Sequence, residues 1–137
     1  MSEENKTLIQ RFVEEAFNRG NLDVADEVYA PEFTSHESAG PVGRSPEYVK
    51  QFVGMYRSAF PDGHTTVEDA ISAGDLVAYR WTFRGTHRGE LMGIAPTDKQ
   101  VMIRGITFDR ISGGKIEEEW DSFDQLGMLR QLEVAPG

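Results

Sequence analysis

Hydrophobic residues recur every three or four positions at the start of the chain, a spacing that places them on one face of a helix. This pattern predicts a first helix over Glu3–Arg19, which Gly20 ends, and a second, short helix over Val24–Tyr29. Ser45 and Pro46 form a strong helix start, and the apolar positions after them predict a third helix. These three predicted helices all belong to the N-terminal half of the chain.

The second half shows alternation of apolar and polar positions instead, which is typical of β-strands. The predicted strands are Thr65–Ser72, Leu76–Arg84, Val101–Ile111 and Lys115–Phe123. Gly113-Gly114 favours a hairpin between the last two, and a two-residue turn there sets Arg110 opposite Glu117. The remaining segments are predicted as an extended piece, a loop, a glycine-rich connection and a terminal helix: Phe33–Glu37, Ser38–Arg44, Gly85–Gln100 and Gln125–Leu132.

Helices that precede a run of antiparallel strands are typical of an α+β fold. Strands of this length allow the sheet to curl around the helices into a cone, and a cone of that kind encloses an apolar pocket. Because the chain has 137 residues and no internal repeat, we expect a single domain over residues 1–137.

Composition narrows the classes of protein that fit this fold. The formal net charge of -9 disfavours nucleic acid and anionic membranes as partners, because both are polyanions. The chain has no cysteine, which excludes disulfides and thiolate metal sites, and its three histidines lack the spacing of a metal-binding pair. No apolar run approaches the ~18 residues of a membrane span, and the acidic N-terminus is unlike a signal peptide. We therefore expect a cytoplasmic protein without a metal.

Several segments carry a family resemblance and occur in the order found in that family. They are Ala59–Asp62, Gly74–Trp81, Gly85–Glu90, Gly93–Thr97, Phe108–Ile111 and Gly114–Asp124. In these segments the chain resembles the SnoaL-like polyketide cyclase, or ester cyclase, family, which shares a superfamily with nuclear transport factor 2, ketosteroid isomerase and scytalone dehydratase. The resemblance implies a cone-shaped, cystatin-like α+β barrel, in which a curved antiparallel or mixed sheet wraps around the N-terminal helices.

The resemblance also implies a chemistry. Members of the family close a ring by an intramolecular aldol reaction, in which an aspartate of the last strand acts as general acid and base, a histidine assists and no cofactor takes part. We therefore expect a cofactor-independent enzyme that acts on a small, hydrophobic, carbonyl-bearing molecule. The family pattern of tryptophan and aspartate matches Trp120 and Asp124, with Asp121 as the alternative if the strand register differs. The resemblance further implies a homodimer that packs through the convex face of the sheet.

Side chains alternate between the two faces of a strand, so the position of Trp120 predicts which acids of the last strand share its face. If Trp120 faces the cavity, Glu118 and Asp124 face it too, whereas Glu119 and Asp121 lie on the opposite side. A carboxylate among apolar side chains is desolvated, which raises its pKa and suits it to remove a proton next to a carbonyl group. Asp124 is also well placed to cap the terminal helix, and this structural role is the alternative.

Two histidines are candidates for the assisting group. His36 follows the second helix, and His87 lies in the glycine-rich connection, which could form a lid. Imidazole titrates near working pH, so either could pass a proton or bond a substrate oxygen, although each could equally be structural. The residues that we expect around the ligand are Phe52, Tyr56, Arg80, Trp81, Met92, Glu118 and Trp120. An inward Arg80 would need a carboxylate partner, and the alternative is an exposed position or a dimer face.

Two other functions fit the same residues. One is a non-catalytic ligand-binding or dimerisation module, and the other is an enzyme that resembles an epoxide hydrolase or a dehydratase. An enzyme needs at least two convergent polar groups in its pocket, whereas a binding module needs only an apolar wall and one anchor. The polar lining of the pocket therefore separates these hypotheses.

Overall fold

A computed structural model describes residues 2–37 and 39–134, without the side chain of Ser2. Its elements are α1 (Ser2–Phe12), a π-helical turn (Val13–Asn18), α2 (Val24–Val28), β1 (Tyr29–Glu37), β2 (Gly40–Arg44), α3 (Pro46–Ala59), β3 (His64–Ala73), β4 (Leu76–Thr86), β5 (Gln100–Ser112), β6 (Lys115–Phe123) and α4 (Gln125–Gln131). Among the described residues, no helix is long and apolar enough to cross a membrane.

The six strands named above form one sheet in the order β2-β1-β6-β5-β4-β3. Neighbouring strands are antiparallel, except that β1 runs parallel to β6. Because β1 and β2 add to the outer side of β6, the last strand of the chain lies inside the sheet rather than at its edge. The expected α+β fold, with a curved mixed sheet and N-terminal helices, is confirmed.

The main difference from the predicted elements lies in the segment before α3. The sequence pattern assigns Ser38–Arg44 to a loop, whereas Gly40–Arg44 forms an edge strand that pairs with β1 between Phe33 and Glu37. Two glycines and a proline interrupt the alternation there, and an edge strand tolerates proline because one of its sides needs no ladder hydrogen bonds. Ser38 itself lies outside the described residues.

The first helix changes to π geometry at Val13–Asn18. Short π-helical turns are rare and occur frequently at functional sites. The side chain of Asn18 forms two hydrogen bonds with the backbone of Thr65: its Nδ2 donates to the carbonyl oxygen at 2.9 Å, and its Oδ1 accepts from the amide at 2.8 Å. These bonds attach the end of the helix to the edge strand β3.

The core consists of two clusters of buried side chains on the inner face of the sheet. The first cluster joins the N-terminal helices to the sheet and includes Ile9, Phe12, Val28, Val77 and Ile116. The second joins the end of α3 to α4 and includes Phe60, Phe83, Leu91, Val101 and Met128. Trp81 packs against both clusters and is only partly buried, because an open space separates them.

Candidate active site

A cavity of about 390 Å³ lies between the inner face of the sheet and helices α1 and α3. Its apolar lining includes Phe12, Phe17, Phe33, Phe52, Tyr56, Trp81 and Phe83, and its polar lining includes Ser35, His36, Thr107, Glu119, Asp121 and Gln125. A mostly apolar pocket with a few convergent polar groups is typical of a site for a small molecule.

Three carboxyl groups converge on the inner face of β5 and β6. Asp109 lies directly opposite Glu119 in the antiparallel pair, and Thr107 lies opposite Asp121. Residues two apart on a strand share one face of the sheet, so these four side chains project to the same side. Glu119 and Asp121 line the cavity, whereas Asp109 is fully buried and does not reach it.

Asp121 is held by a short chain of hydrogen bonds. The hydroxyl of Thr107 donates to Asp121 Oδ1 at 2.6 Å, and the indole Nε1 of Trp81 donates to Thr107 Oγ1 at 3.0 Å. Gly105 makes room for that indole, because a Cβ at this position would overlap the ring of Trp81. The carboxyl group is therefore fixed at the edge of an apolar cavity, where it can accept and return a proton.

The other two carboxyl groups differ in their partners. The hydroxyl of Tyr29 donates to Glu119 Oε2 at 2.8 Å. Asp109 is 0% exposed, yet neither of its carboxyl oxygens has a hydrogen-bond donor within residues 2–37 and 39–134. Buried polar atoms are nearly always hydrogen-bonded, so Asp109 requires an explanation.

Burial raises the pKa of all three carboxyl groups. The pKa of Asp109 rises to about 8, chiefly because its charged form is removed from water. The pKa of Glu119 lies well above its usual value for the same reason, and the neighbouring Asp109 raises it further, whereas the hydrogen bond from Tyr29 lowers it. The pKa of Asp121 is also raised by burial and then by Glu119. Asp121 is nonetheless exposed, because it borders both the cavity and its mouth, so the burial that raises its pKa is that of a group enclosed by the cavity walls rather than one sealed from water.

No basic side chain among the described residues forms an ion pair with these three acids. Two arginines of β4 and β5 bind outer-face carboxylates instead: Arg80 Nε donates to Asp69 at 2.6 Å, and Arg110 Nε donates to Glu118 at 2.7 Å. Within residues 2–37 and 39–134, no group of three histidine, aspartate or glutamate side chains is arranged to hold a metal ion. The inner face of the sheet is therefore acidic without a countercharge, which favours the protonated forms.

The structure brings several of the predicted site residues to the cavity. Phe52, Tyr56, Trp81 and Asp121 all line it. His36 lies at the mouth, where it borders both the cavity and a shallow basin outside. Asp121 borders the same basin, so these two predicted catalytic residues share one entrance.

His36 is engaged on the outer side of this entrance. Its Nε2 lies 2.9 Å from Glu118 Oε2, and its ring stacks on Trp120 with the centroids 4.3 Å apart. The hydrogen bonds from His36 and Arg110 lower the pKa of Glu118, which therefore stays ionised. A role of His36 as proton donor stays a prediction.

Other predicted site residues lie away from the cavity. Asp124 caps α4, because its Oδ1 accepts a hydrogen bond from the amide of Gly127 at 2.7 Å, and it is absent from the cavity lining. Arg80 is exposed in its ion pair with Asp69, and Met92 is 49% exposed on the connection after β4. The capping role of Asp124 is thus observed, whereas its catalytic role stays a prediction.

Glu118 and Trp120 project to the outer face of the sheet, so the condition that Trp120 faces the cavity is not met. The cause is a register shift between Arg110 and Ile111, which places Arg110 opposite Glu118 rather than Glu117. Such a shift of one residue exchanges the two faces of a strand. Beyond it, the inward positions of β6 are Glu119, Asp121 and Phe123.

His87 is fully buried in the connection between β4 and β5. Its Nδ1 accepts a hydrogen bond from the amide of Thr97 at 3.3 Å, and its own amide donates to the carbonyl oxygen of Lys99 at 2.9 Å. These bonds hold the two ends of the connection together. Because His87 is not part of the cavity lining, its assisting role also stays a prediction.

Sequence reasoning missed four residues of this site: Tyr29, Thr107, Asp109 and, as an inward residue, Glu119. The signal for two of them was weak: every odd-numbered residue of β5 between positions 101 and 111 is buried in the structure, but Met102, Ile106 and Phe108 are apolar at the even positions, so the sequence does not mark the inward face. Thr107 and Asp109 occupy two of the buried positions. An acid at a buried position of a strand indicates a special environment.

Comparison with known proteins agrees with this geometry. A sequence model described as SnoaL-like polyketide cyclase matches residues 7–132. Nogalonic acid methyl ester cyclase from Streptomyces nogalater is 32% identical over 119 residues, which cover 85% of this chain and 89% of that protein.

Two crystal structures from other Streptomyces species share the fold. IdmH of Streptomyces antibioticus, a proposed polyketide cyclase, has a TM-score of 0.79 and 33% identity, and the alignment covers 95% of this chain and 99% of IdmH. AclR of Streptomyces galilaeus, a proposed hydroxylase, has a TM-score of 0.87 and 29% identity, and the alignment covers 100% of this chain and 85% of AclR.

Proposed function

The chain belongs to the SnoaL-like polyketide cyclase family, and we propose that it closes a ring in an aromatic polyketide ester by an intramolecular aldol reaction. The substrate class follows the name of the relative from Streptomyces nogalater, which acts on nogalonic acid methyl ester. The observation that carries this proposal is the carboxyl group of Asp121, fixed at the edge of the aromatic cavity.

In the proposed reaction, the carboxylate of Asp121 removes a proton from the carbon next to a carbonyl group. The resulting enolate carbon attacks a second carbonyl group of the same molecule, so that a carbon–carbon bond forms and the attacked oxygen becomes an alkoxide. The proton on Asp121 then passes to that oxygen, which restores the carboxylate. No net proton is consumed, and one carboxyl group serves as both base and acid.

The surroundings of Asp121 support this role. Burial raises its pKa, which makes its carboxylate a stronger base than an exposed aspartate. The hydrogen bonds through Thr107 and Trp81 limit the rotation of the carboxyl group, so it loses little conformational freedom when the reaction takes place. The aromatic walls provide flat apolar surfaces that suit a planar ring system.

A turnover assay with nogalonic acid methyl ester and no added cofactor tests the proposal. We expect a product of unchanged mass, because an aldol ring closure only rearranges atoms, and liquid chromatography with mass spectrometry detects it. The rate should rise with pH as the raised pKa of Asp121 is passed, because the base must be ionised. Binding without conversion would instead favour a ligand-binding module.

The likeness to AclR favours hydroxylation as the second candidate function. Removal of a proton by Asp121 would also activate a substrate carbon for that chemistry, in which dioxygen would supply the added oxygen atom and an external two-electron reductant would convert the second oxygen atom to water. The same mass spectrum separates the two functions, because a hydroxylated product gains one oxygen atom.

We also propose a homodimer that forms through the outer face of the sheet. Register partners on neighbouring strands place a row of mainly apolar side chains across this face: His36, Trp120, Phe108, Ala78 and Ile71. Ile71 is 70% exposed, and Ile106 beside the row is 58% exposed. An exposed apolar patch with charged residues around it is typical of an interaction surface.

Sedimentation equilibrium of Ile106→Glu tests the dimer. We expect the wild-type protein to be dimeric and the variant monomeric, because a dimer would bring two glutamates into an apolar interface. Leu126→Glu is the matched control, since Leu126 is an exposed apolar residue of α4 outside this face, 48% accessible. A monomeric wild-type protein, or a variant that remains dimeric, would contradict the proposal.

A further inference from the structure

Asp109 is a buried acid that the proposed reaction does not use. Its pair with Glu119 lies two register positions from the pair of Thr107 and Asp121, but Asp109 does not reach the cavity and so does not contact a substrate there. Its side chain is 0% exposed and lacks a hydrogen-bond donor within the described residues. An ionised carboxylate in such a place is strongly destabilising unless something neutralises it.

The titratable groups that face Asp109 from the described residues are all acids or phenols. Glu119 and Asp121 face it from β6, Tyr29 from the start of β1, and Tyr79 from β4. Arg80 of β4 and Arg110 of β5, in contrast, are bound to carboxylates on the outer face, and Arg84 and Arg104 of the same strands are exposed. Among the described residues no cation is therefore available, and a proton is what can neutralise this group.

Asp109 and Glu119 occupy directly opposite positions of an antiparallel pair. Two like charges at such positions repel each other, and two carboxyl groups that share a site usually retain one proton between them. Glu119 already accepts a hydrogen bond from the hydroxyl of Tyr29 at 2.8 Å, which stabilises its ionised form. The proton therefore belongs on Asp109, from which it can be donated to Glu119.

We propose that Asp109 and Glu119 form an acid pair with one shared proton behind Asp121, and that the single negative charge of this pair sets the pH at which Asp121 becomes a base. The pair acts through Asp121, so Asp109 and Glu119 are positioning residues. The inference rests on the proposed function of Asp121 as the base. What it states, the protonation of the three carboxyl groups at each pH, can be measured without a substrate.

Carbon-13 NMR of protein labelled at the aspartate and glutamate carboxyl carbons tests the pair. Asp121→Asn identifies the resonance of Asp121, because that signal disappears in the variant. In Glu119→Gln the charge next to Asp121 is removed, so we expect the titration midpoint of Asp121 to fall by about one pH unit or more. In Asp109→Asn the new amide donates to Glu119, which stays ionised, so the midpoint of Asp121 should not fall.

Glu118→Gln is the matched control, because it removes the same charge one residue away on the outer face, where Arg110 already pairs with it. We expect this variant to leave the midpoint of Asp121 unchanged. If the pair had a purely structural role, the midpoint of Asp121 would not fall in Glu119→Gln while staying the same in Asp109→Asn. An unchanged midpoint in Glu119→Gln, or equal decreases in both variants, would overturn the proposal.

The wild-type spectrum keeps the test valid if a variant fails to fold. Between about pH 5 and pH 7, one of the two carboxyl groups should remain protonated while free aspartate and glutamate are ionised. Two ionised groups in that range would overturn the shared proton. Because this result does not depend on turnover, an inactive protein with a shared proton would contradict only the proposed function, and an active one without it only the acid pair.

Discussion

Asp121→Asn will lower kcat/KM for ring closure by about a thousandfold, because general acid and base catalysis by a positioned side chain contributes roughly 10²–10⁴. The amide has nearly the shape of the carboxylate and can still accept the hydrogen bond from Thr107. The fold should therefore persist, and the loss should appear in turnover rather than in stability. Steady-state kinetics with nogalonic acid methyl ester, together with thermal unfolding, measures both quantities.

Asp124→Asn provides the control for this experiment. Asparagine caps a helix about as well as aspartate, so the variant removes the charge and keeps the bond to Gly127. We expect activity and stability close to those of the wild-type protein. An inactive Asp124→Asn together with an active Asp121→Asn would instead support the catalytic role that the sequence pattern assigns to Asp124.

Asp109→Asn will change how stability depends on pH. Asp109 has a pKa of about 8 in the folded protein, and an unfolded aspartate titrates near ~3.9. Between these values the folded protein binds one more proton than the unfolded chain, so the free energy of unfolding falls as pH rises. The expected slope from this group is about 1.4 kcal/mol per pH unit.

Asparagine at position 109 does not titrate, so the variant should lose this part of the slope. Urea unfolding at about pH 5 and about pH 7 measures it, and the variant should gain stability relative to the wild-type protein at the higher pH. Asp69→Asn is the control, because Asp69 is an exposed carboxylate whose ion pair with Arg80 contributes little. Equal slopes for the wild-type protein and Asp109→Asn would show that Asp109 is ionised in the folded state.

Local patterns in the sequence were sufficient for most of the fold. Helical periodicity, the alternation of apolar and polar positions and the Gly113-Gly114 hairpin signal depend on neighbouring residues, and they predicted the positions of α1, α3 and strands β3 to β6. Resemblance to a family added the closure of these elements into a cone. The parallel pairing of β1 with β6 and the edge strand β2 are contacts between distant segments, and no local pattern encodes them.

The candidate site was predicted only in part. Phe52, Tyr56 and Trp81 line the cavity. They could be predicted because the apolar face of a helix and the apolar side of an alternating strand turn towards the interior of the protein. His36 reaches the entrance, whereas His87 and Met92 belong to a connection whose path depends on contacts with distant residues. Arg80 is exposed because Asp69 on the adjacent strand offers a partner at the surface.

By itself, the sequence determined most of the helices and strands, and its resemblance to a family limited the candidate acid to Asp121 or Asp124. The tertiary structure decided which acid it is. Counting back from Gly113-Gly114 without interruption would place Trp120 opposite Thr107, on the cavity side of the sheet. The shift between Arg110 and Ile111 instead sets Asp121 opposite Thr107. A one-residue shift leaves no mark in the alternation of β6, because polar residues occupy both of its faces, so only the pairing of the strands reveals the cavity side.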